Sequence, residues 1–195
     1  MSVLGPAGVA IAVWLLVSKQ WRLVLGWSLW YGGGMLLVVL SKLAFIGWGI
    51  GSASLDFTGF SGHAMRAGAV FPALMYVALQ RAPRSWRQTG VLFGVAYAVL
   101  VAISRVVVHA HSVSEAASGC VLGLAMAFGF MWQARGAVNF AVSHALALAS
   151  LGLMVLITFK AEPMPTEDWL QKIALRLSGH ERIFSRADWK LAGRP

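Results

Sequence analysis

Acidic side chains and cysteine are scarce in this sequence, and each scarcity excludes something. Only 7 Asp and Glu stand against 16 Lys and Arg among the 195 residues. Charged residues make up 12% of the chain, roughly half the fraction in an ordinary soluble domain. Cys120 is the single cysteine, so an internal disulfide is excluded. The shortage of charge argues against a water-soluble domain and points to lipid as the solvent.

Apolar residues are abundant instead and make up 58% of the chain. A membrane-spanning helix needs about 20 mostly apolar residues. The stretches that approach this length are residues 3–18, 23–47, 64–80, 88–108, 116–133 and 138–159. The sequence therefore predicts an all-α polytopic membrane bundle of about six transmembrane helices. Gly32, Gly33 and Gly34 interrupt the second stretch and should loosen or bend it, whereas Gly119 and Gly123 should permit close helix packing.

The basic residues lie mainly in the short connections between these stretches. If six spans alternate, one face holds Lys19, Arg22, the arginines of residues 81–87 and Arg135. The positive-inside rule makes that face cytoplasmic. The segments around 48–62 and 109–115 then face outward, toward the periplasm if the protein lies in a bacterial inner membrane. Because topology explains the basic excess, we predict membrane lipids as partners and no nucleic acid.

Residues 161–195 form a C-terminal tail of different character. Apolar side chains recur there at helical spacing after Thr166, which suits a helix N-cap. They are Trp169, Leu170, Ile173 and Leu177. Charged residues lie between them, so we expect an amphipathic helix on the membrane or on the protein's own loops.

Three groups of polar residues lie at the outward ends of the predicted spans. They are Lys42, then Ser61, Gly62 and His63, and then SRVVVHAHSVSE at residues 104–115. Ionisable residues at membrane depth are costly unless they face a cavity or a partner. A phosphate ester suits this combination, because Lys42 and Arg105 would hold the anion. The Ser61 hydroxyl and the N–H groups of a helix N-terminus would complete the binding site.

Two of the histidines suggest acid–base chemistry on such an ester. One must be neutral to attack phosphorus, and the other must be protonated to release the leaving oxygen. His111 and Glu115 are four residues apart, so on one helical face the carboxylate reaches an imidazole nitrogen. This favours His111 as the nucleophile, Glu115 as its orienting carboxylate and His63 as the acid.

Each of these residues also has a purely structural interpretation. Lys42 and Arg66 would serve as snorkelling anchors at the membrane interface. His63 would be a structural histidine, and Ser112 and Glu115 ordinary first-turn residues of a helix. Their joint occurrence on one face favours a site, because a structural bundle does not need this set of groups at one depth.

The same residues resemble the type 2 phosphatidic acid phosphatase superfamily, integral membrane lipid phosphatases related in fold to vanadium haloperoxidases. The motifs of that family are K-x-x-x-x-x-x-R-P, P-S-G-H and S-R-x-x-x-x-x-H-x-x-x-D. The third is matched by Ser104, Arg105, His111 and, in place of aspartate, Glu115. The second is matched by Ser61, Gly62 and His63, with Phe60 in place of proline. The first is matched by Lys42 alone, since Gly49 and Ile50 occupy the R-P positions.

The resemblance covers residues 42–119 and implies a lipid phosphatase that needs no metal or other cofactor and takes a lipid phosphate as substrate. Together with the apolar stretches, we predict residues 1–160 as a transmembrane phosphatase-like domain. It implies that His111 forms a phosphohistidine oriented by Glu115. His63 is then the acid for the leaving alcohol and the base for the hydrolytic water. The phosphate-binding residues are Lys42, Ser61, Gly62 and Arg105.

The departures from the family pattern leave alternatives open. Loss of the first-motif arginine removes a contact worth roughly 1.5 to 3 kcal/mol, and Arg66, one turn beyond His63, is the candidate replacement. His109 is either a further site residue or a polar loop residue. A non-catalytic phospholipid-binding or scaffolding protein and a lipid phosphotransferase are the alternative functions.

Overall fold

The computed structural model describes residues 4–135 and 166–191, and this part of the chain is helical. The helices are α1 (Leu4–Val17), α2 (Trp21–Trp48), α3 (Gly62–Ala78), α4 (Arg84–Val107), α5 (Val113–Ala134), α6 (Thr166–Ser178) and α7 (Arg186–Leu191). An isolated β-bridge pairs Ser52 with Phe57, and no strand forms within the described ranges. The predicted all-α fold is confirmed. The predicted span at 138–159 lies outside the described residues.

Three of these helices, α2, α4 and α5, are long and apolar enough to cross a membrane. Large apolar side chains on them are more than half exposed, including Leu29, Leu92, Phe93 and Val121. A continuous apolar exterior of this kind suits lipid rather than water. The protein is therefore a membrane protein. Its described part contains three full-length spans, so the predicted count of six is not shown.

The glycines inside α2 leave it a continuous helix. The helix runs unbroken for 28 residues. A Cβ built on Gly34 would lie 3.0 Å from Cγ of Met126 on α5. Gly34 therefore provides a packing surface for another helix, and α2 keeps the internal hydrogen bonds that a helix in lipid cannot give up.

Helix α3 packs against both α4 and α5, and glycines bring α3 and α5 into backbone contact. A Cβ on Gly119 would lie 2.6 Å from the carbonyl oxygen of Ser61. A Cβ on Gly123 would overlap the carbonyl oxygen of Met65. The predicted role of Gly119 and Gly123 in close packing is confirmed.

The ends of four helices meet at one end of the bundle. Helices α2 and α4 finish there, and α3 and α5 begin there. The Ser61 N–H donates to the carbonyl oxygen of Glu115 over 3.1 Å, which joins the starts of α3 and α5. This arrangement brings together the polar groups that the sequence placed on one face.

The predicted helix in the C-terminal tail is confirmed as α6, which lies against α2. Ala174 is fully buried, and a Cβ on Gly47 of α2 would lie 3.4 Å from Cβ of Ser178. Trp169 and Ile173 of the predicted apolar stripe are 55% and 46% exposed. The tail therefore packs on the protein through its small residues, while its large apolar residues remain available to lipid.

Candidate active site

The centre of the candidate site is a hydrogen bond between His111 and Glu115. Nδ1 of His111 lies 2.9 Å from Oε2 of Glu115. The Glu115 side chain is 2% exposed and that of His111 16%. The His111 N–H donates to the carbonyl oxygen of Arg105 over 3.2 Å, which fixes the turn before α5. The structure thus confirms the predicted contact between imidazole and carboxylate.

A capping box at the start of α5 positions Glu115. The Glu115 N–H donates to Oγ of Ser112 over 3.3 Å, and the Ser112 N–H donates to Oε2 of Glu115 over 3.2 Å. Glutamate suits this helical position because its side chain is long enough to reach back to the N-cap amide. Glu115 therefore caps the helix and contacts His111 through the same oxygen. Its structural interpretation holds, and the contact that its predicted orienting role needs is present.

The second oxygen of Glu115 is held from the opposite side. Oε1 accepts the Thr58 N–H over 2.9 Å and also a hydrogen bond from the Thr58 hydroxyl. Nη2 of Arg186, from the C-terminal tail, lies 3.0 Å from the same oxygen. A buried carboxylate is tolerated only when its charge and lone pairs are satisfied. These contacts meet that requirement and fix the plane of the carboxylate.

Ser61 forms the N-cap of α3 on the facing side of the site. It is fully buried, and its Oγ accepts the Ala64 N–H over 3.4 Å. Gly62 and His63 are the first two residues of the helix. The start of a helix offers unpaired N–H groups and partial positive charge, which favours an anion.

Three cationic side chains lie close enough to His63, at the start of this helix, for their charges to act on it. Lys42, Arg66 and Arg105 all act electrostatically on His63, as does His111. All predicted site residues therefore converge on one region of the molecule.

Arg66 points toward the start of α3. Its Nε–H donates to the carbonyl oxygen of Gly62 over 3.0 Å, so the side chain folds back along the first turn of the helix. Arg66 thus lies beside the expected phosphate position, as its candidate role requires.

The loop before α3 contacts α2 closely, and this contact places Lys42 near the start of α3. The Phe60 N–H donates to Oγ of Ser41 over 3.1 Å. A Cβ on Gly59 would lie 3.2 Å from the backbone nitrogen of Lys42, and φ of Gly59 is +148°. Glycine is suited to both the close approach and this backbone conformation. Phe60, which stands at the proline position of the family motif, packs edge-to-face on Phe57 with ring centroids 5.4 Å apart.

His109, two residues before His111, is the remaining candidate. It is exposed at the turn between α4 and α5 and has a left-handed backbone conformation with φ of 54°. Of its two interpretations, the structure favours the polar loop residue. Within the described ranges, no group of three or more His, Cys, Asp or Glu side chains is placed to hold a metal ion.

Comparison with known proteins identifies the family. A family model described as PAP2 superfamily matches residues 45–138, which include both histidine motifs but not Lys42. A relative from Klebsiella pneumoniae, described as an uncharacterized 22.5 kDa protein in cps region, is 34% identical over 193 residues. That alignment covers 96% of this chain and 91% of the relative. The chain belongs to the PAP2 superfamily. No solved structure matches it significantly.

Membership of the PAP2 superfamily supports a phosphatase-type function and confirms the resemblance drawn from the motifs. Four residues of this PAP2 site were not predicted from the sequence. They are Ser41, Thr58, Gly59 and Arg186. Thr58 and Gly59 lie within three positions of Ser61 in the sequence, which indicates that they belong near the site. Arg186 is 71 positions from Glu115 and lies outside every motif.

Proposed function

We propose that this PAP2 protein is a lipid phosphatase acting through a phosphohistidine. Its substrate is a lipid phosphomonoester, or an isoprenoid diphosphate that loses its terminal phosphate. The hydrogen bond between His111 and Glu115 carries the proposal. A carboxylate on Nδ1 holds the proton on that nitrogen and leaves the lone pair of Nε2 for attack.

In the first step, the phosphate is bound among Lys42, Arg66 and Arg105 at the N-terminus of α3. Nε2 of His111 attacks phosphorus, and the bond between phosphorus and the lipid oxygen breaks. The cations stabilise the negative charge on the phosphoryl oxygens. His63 gives its proton to the departing oxygen. The bound phosphate favours the protonated imidazole of His63, because it places negative charge beside it.

In the second step, His63 is neutral and takes a proton from water. The water oxygen attacks phosphorus, and the bond between phosphorus and Nε2 of His111 breaks. Inorganic phosphate leaves, and His111 returns to its neutral state. The same histidine thus serves as acid and then as base.

The apolar exterior of α2 and α4 supports a lipid substrate, since it lets the tail remain in the membrane while the head group enters the site. The basic residues Lys19, Arg22 and Arg81 lie at the opposite end of the bundle from the site. By the positive-inside rule, we place the site on the outer face of a bacterial inner membrane.

Phosphate release from a panel of lipid phosphates, with detergent-solubilised protein and a chelator present, tests this function. We expect release by the wild type and a loss of about a thousandfold or more in His111→Asn, because the nucleophile is removed. His109→Asn is the matched control, since it changes an exposed histidine two residues away and asparagine tolerates its backbone conformation. Full activity of His111→Asn would contradict the mechanism.

The same assay separates the alternatives. Binding of a lipid phosphate by the wild type without turnover would identify a non-catalytic phospholipid-binding protein. Transfer of phosphate to an added acceptor lipid, in place of release, would identify a phosphotransferase.

A further inference from the structure

The C-terminal tail supplies an arginine to the candidate site. Nη2 of Arg186 lies 3.0 Å from Oε1 of Glu115, and Nε of Arg186 lies 2.8 Å from Oδ1 of Asp56. The guanidinium group thus bridges the buried carboxylate on α5 and an acidic residue in the loop before α3. Arg186 is 43% exposed, whereas Glu115 is 2% exposed, so the buried end of this contact is the carboxylate.

Other contacts seat the tail on the end of α2. The Phe184 N–H donates to the carbonyl oxygen of Ile46 over 2.9 Å. A Cβ on Gly49 would lie 3.0 Å from the Phe184 ring, and the Trp189 ring packs edge-to-face on Phe45 at 5.1 Å. Gly49 stands at the position of the first-motif arginine. The tail therefore lies on the part of α2 where that arginine is missing.

The start of α7 fixes the direction in which Arg186 points. The N–H and hydroxyl of Ser185 both donate to Oδ2 of Asp188, over 2.8 and 3.0 Å. These bonds hold the pKa of Asp188 below its ordinary value, so the residue stays charged and pairs with Arg182 at 3.2 Å. Arg186 is the first residue of the helix that this cap begins.

Glutamate has one more rotatable bond than aspartate, so the carboxylate of Glu115 needs more contacts to hold one orientation. Thr58 and Arg186 hold Oε1, which leaves Oε2 directed at His111. We infer that Arg186 is a positioning residue that fixes Glu115 and through it the imidazole of His111. This inference rests on the proposed phosphatase function.

Steady-state kinetics on the full-length protein test the inference. In Arg186→Gln, kcat should fall about tenfold while KM changes less than about twofold, because the lost charge-assisted bond orients the nucleophile and does not bind substrate. Arg186→Lys should recover part of the loss. Arg176→Gln removes the same charge from an exposed position on α6 of the same tail and should leave both constants unchanged. An unchanged kcat in Arg186→Gln, or an equal loss in Arg176→Gln, would overturn the inference.

Nitrogen NMR of the protein labelled at histidine gives a second readout that does not depend on turnover. The ring signals of His111, assigned by their absence in His111→Asn, should shift in Arg186→Gln and remain in place in Arg176→Gln. If the wild type releases no phosphate from any lipid, the proposed function fails. The NMR signals alone then test whether Arg186 positions His111. His111 signals unaffected by Arg186→Gln would then overturn the inference.

Discussion

At the scale of single residues, Glu115 is the side chain on which the site depends most. It closes the capping box of α5, contacts Nδ1 of His111, and accepts bonds from Thr58 and Arg186. Because the carboxylate is almost completely buried, water cannot replace a lost partner. Each contact to Glu115 should therefore affect the orientation of His111.

Replacement of Thr58 by valine should lower kcat about tenfold, since it removes one strong hydrogen bond to Glu115 at nearly constant shape. Thr58→Ser retains the hydroxyl and should keep most of the activity. Both variants keep the backbone N–H bond to Glu115. The test is to measure phosphate release by both variants and by the wild type. Equal activity of the two would mean that the hydroxyl does not hold the carboxylate.

Replacement of Arg66 by alanine tests whether this residue replaces the missing first-motif arginine. We expect kcat/KM to fall about tenfold to a hundredfold, with weaker competitive inhibition by inorganic phosphate, because a charge-assisted contact to the anion is lost. Arg81→Ala, at an exposed position in the loop after α3, is the control. If Arg66→Ala leaves activity and phosphate affinity unchanged, the replacement idea is wrong.

Local spacing made part of the site predictable from sequence. His111 and Glu115 are four residues apart, and their contact was predicted for two residues on one helical face. His111 instead precedes the N-cap Ser112, and the capping box turns the Glu115 side chain back toward it. Thr58 and Arg186 reach Glu115 from 57 and 71 positions away. The position of Thr58 three residues before Ser61 indicates that it lies near the site, but no motif indicates Glu115 as the partner of either residue. Their role arises only from the way the loop and the tail fold over the end of the bundle.

At the scale of helices, the crossing of α3 and α5 sets the geometry of the site. Gly119 lies directly against the backbone of Ser61. The bundle therefore holds the start of α3, the proposed phosphate-binding segment, against the helix that carries Glu115. Hydropathy located α1 to α5 to within four residues at each end. It did not predict that Gly34 of α2 serves packing, because that depends on which neighbour lies against it.

The substitution Gly119→Ala should displace the segment around Ser61, because a Cβ there would lie 2.6 Å from the carbonyl oxygen of Ser61. We expect a lower melting temperature in detergent and reduced phosphate release. In Gly32→Ala, no described atom lies within 4 Å of the added Cβ, and a gain of about 0.5 to 1 kcal/mol in helix stability is expected. Similar melting temperatures and activities for both variants would contradict the packing account.

At the scale of the whole molecule, the two ends of the bundle differ in character. One end carries the site, the loop at residues 49–61 and the docked tail. The other carries the arginines of residues 81–87. The basic tail thus lies at the end that the positive-inside rule assigns to the outside. One of its arginines, Arg186, forms ion pairs within the protein, with Asp56 and Glu115.

Labelling of single cysteines in intact cells tests this orientation. In a Cys120→Ala background, Ser54→Cys should react with a membrane-impermeant maleimide, because Ser54 is exposed beside the site. Ser85→Cys, exposed at the opposite end, should react only after the membrane is permeabilised. The reverse pattern would place the site in the cytoplasm.

The most direct test of the central claim is detection of phosphate on His111 during turnover. Wild-type protein is mixed with a lipid carrying radioactive phosphate, quenched in alkali to preserve phosphohistidine, and digested for mass spectrometry. We predict label on His111 in the wild type and in His109→Asn, and none in His111→Asn. Label on another residue, or continued hydrolysis by His111→Asn, would contradict the account.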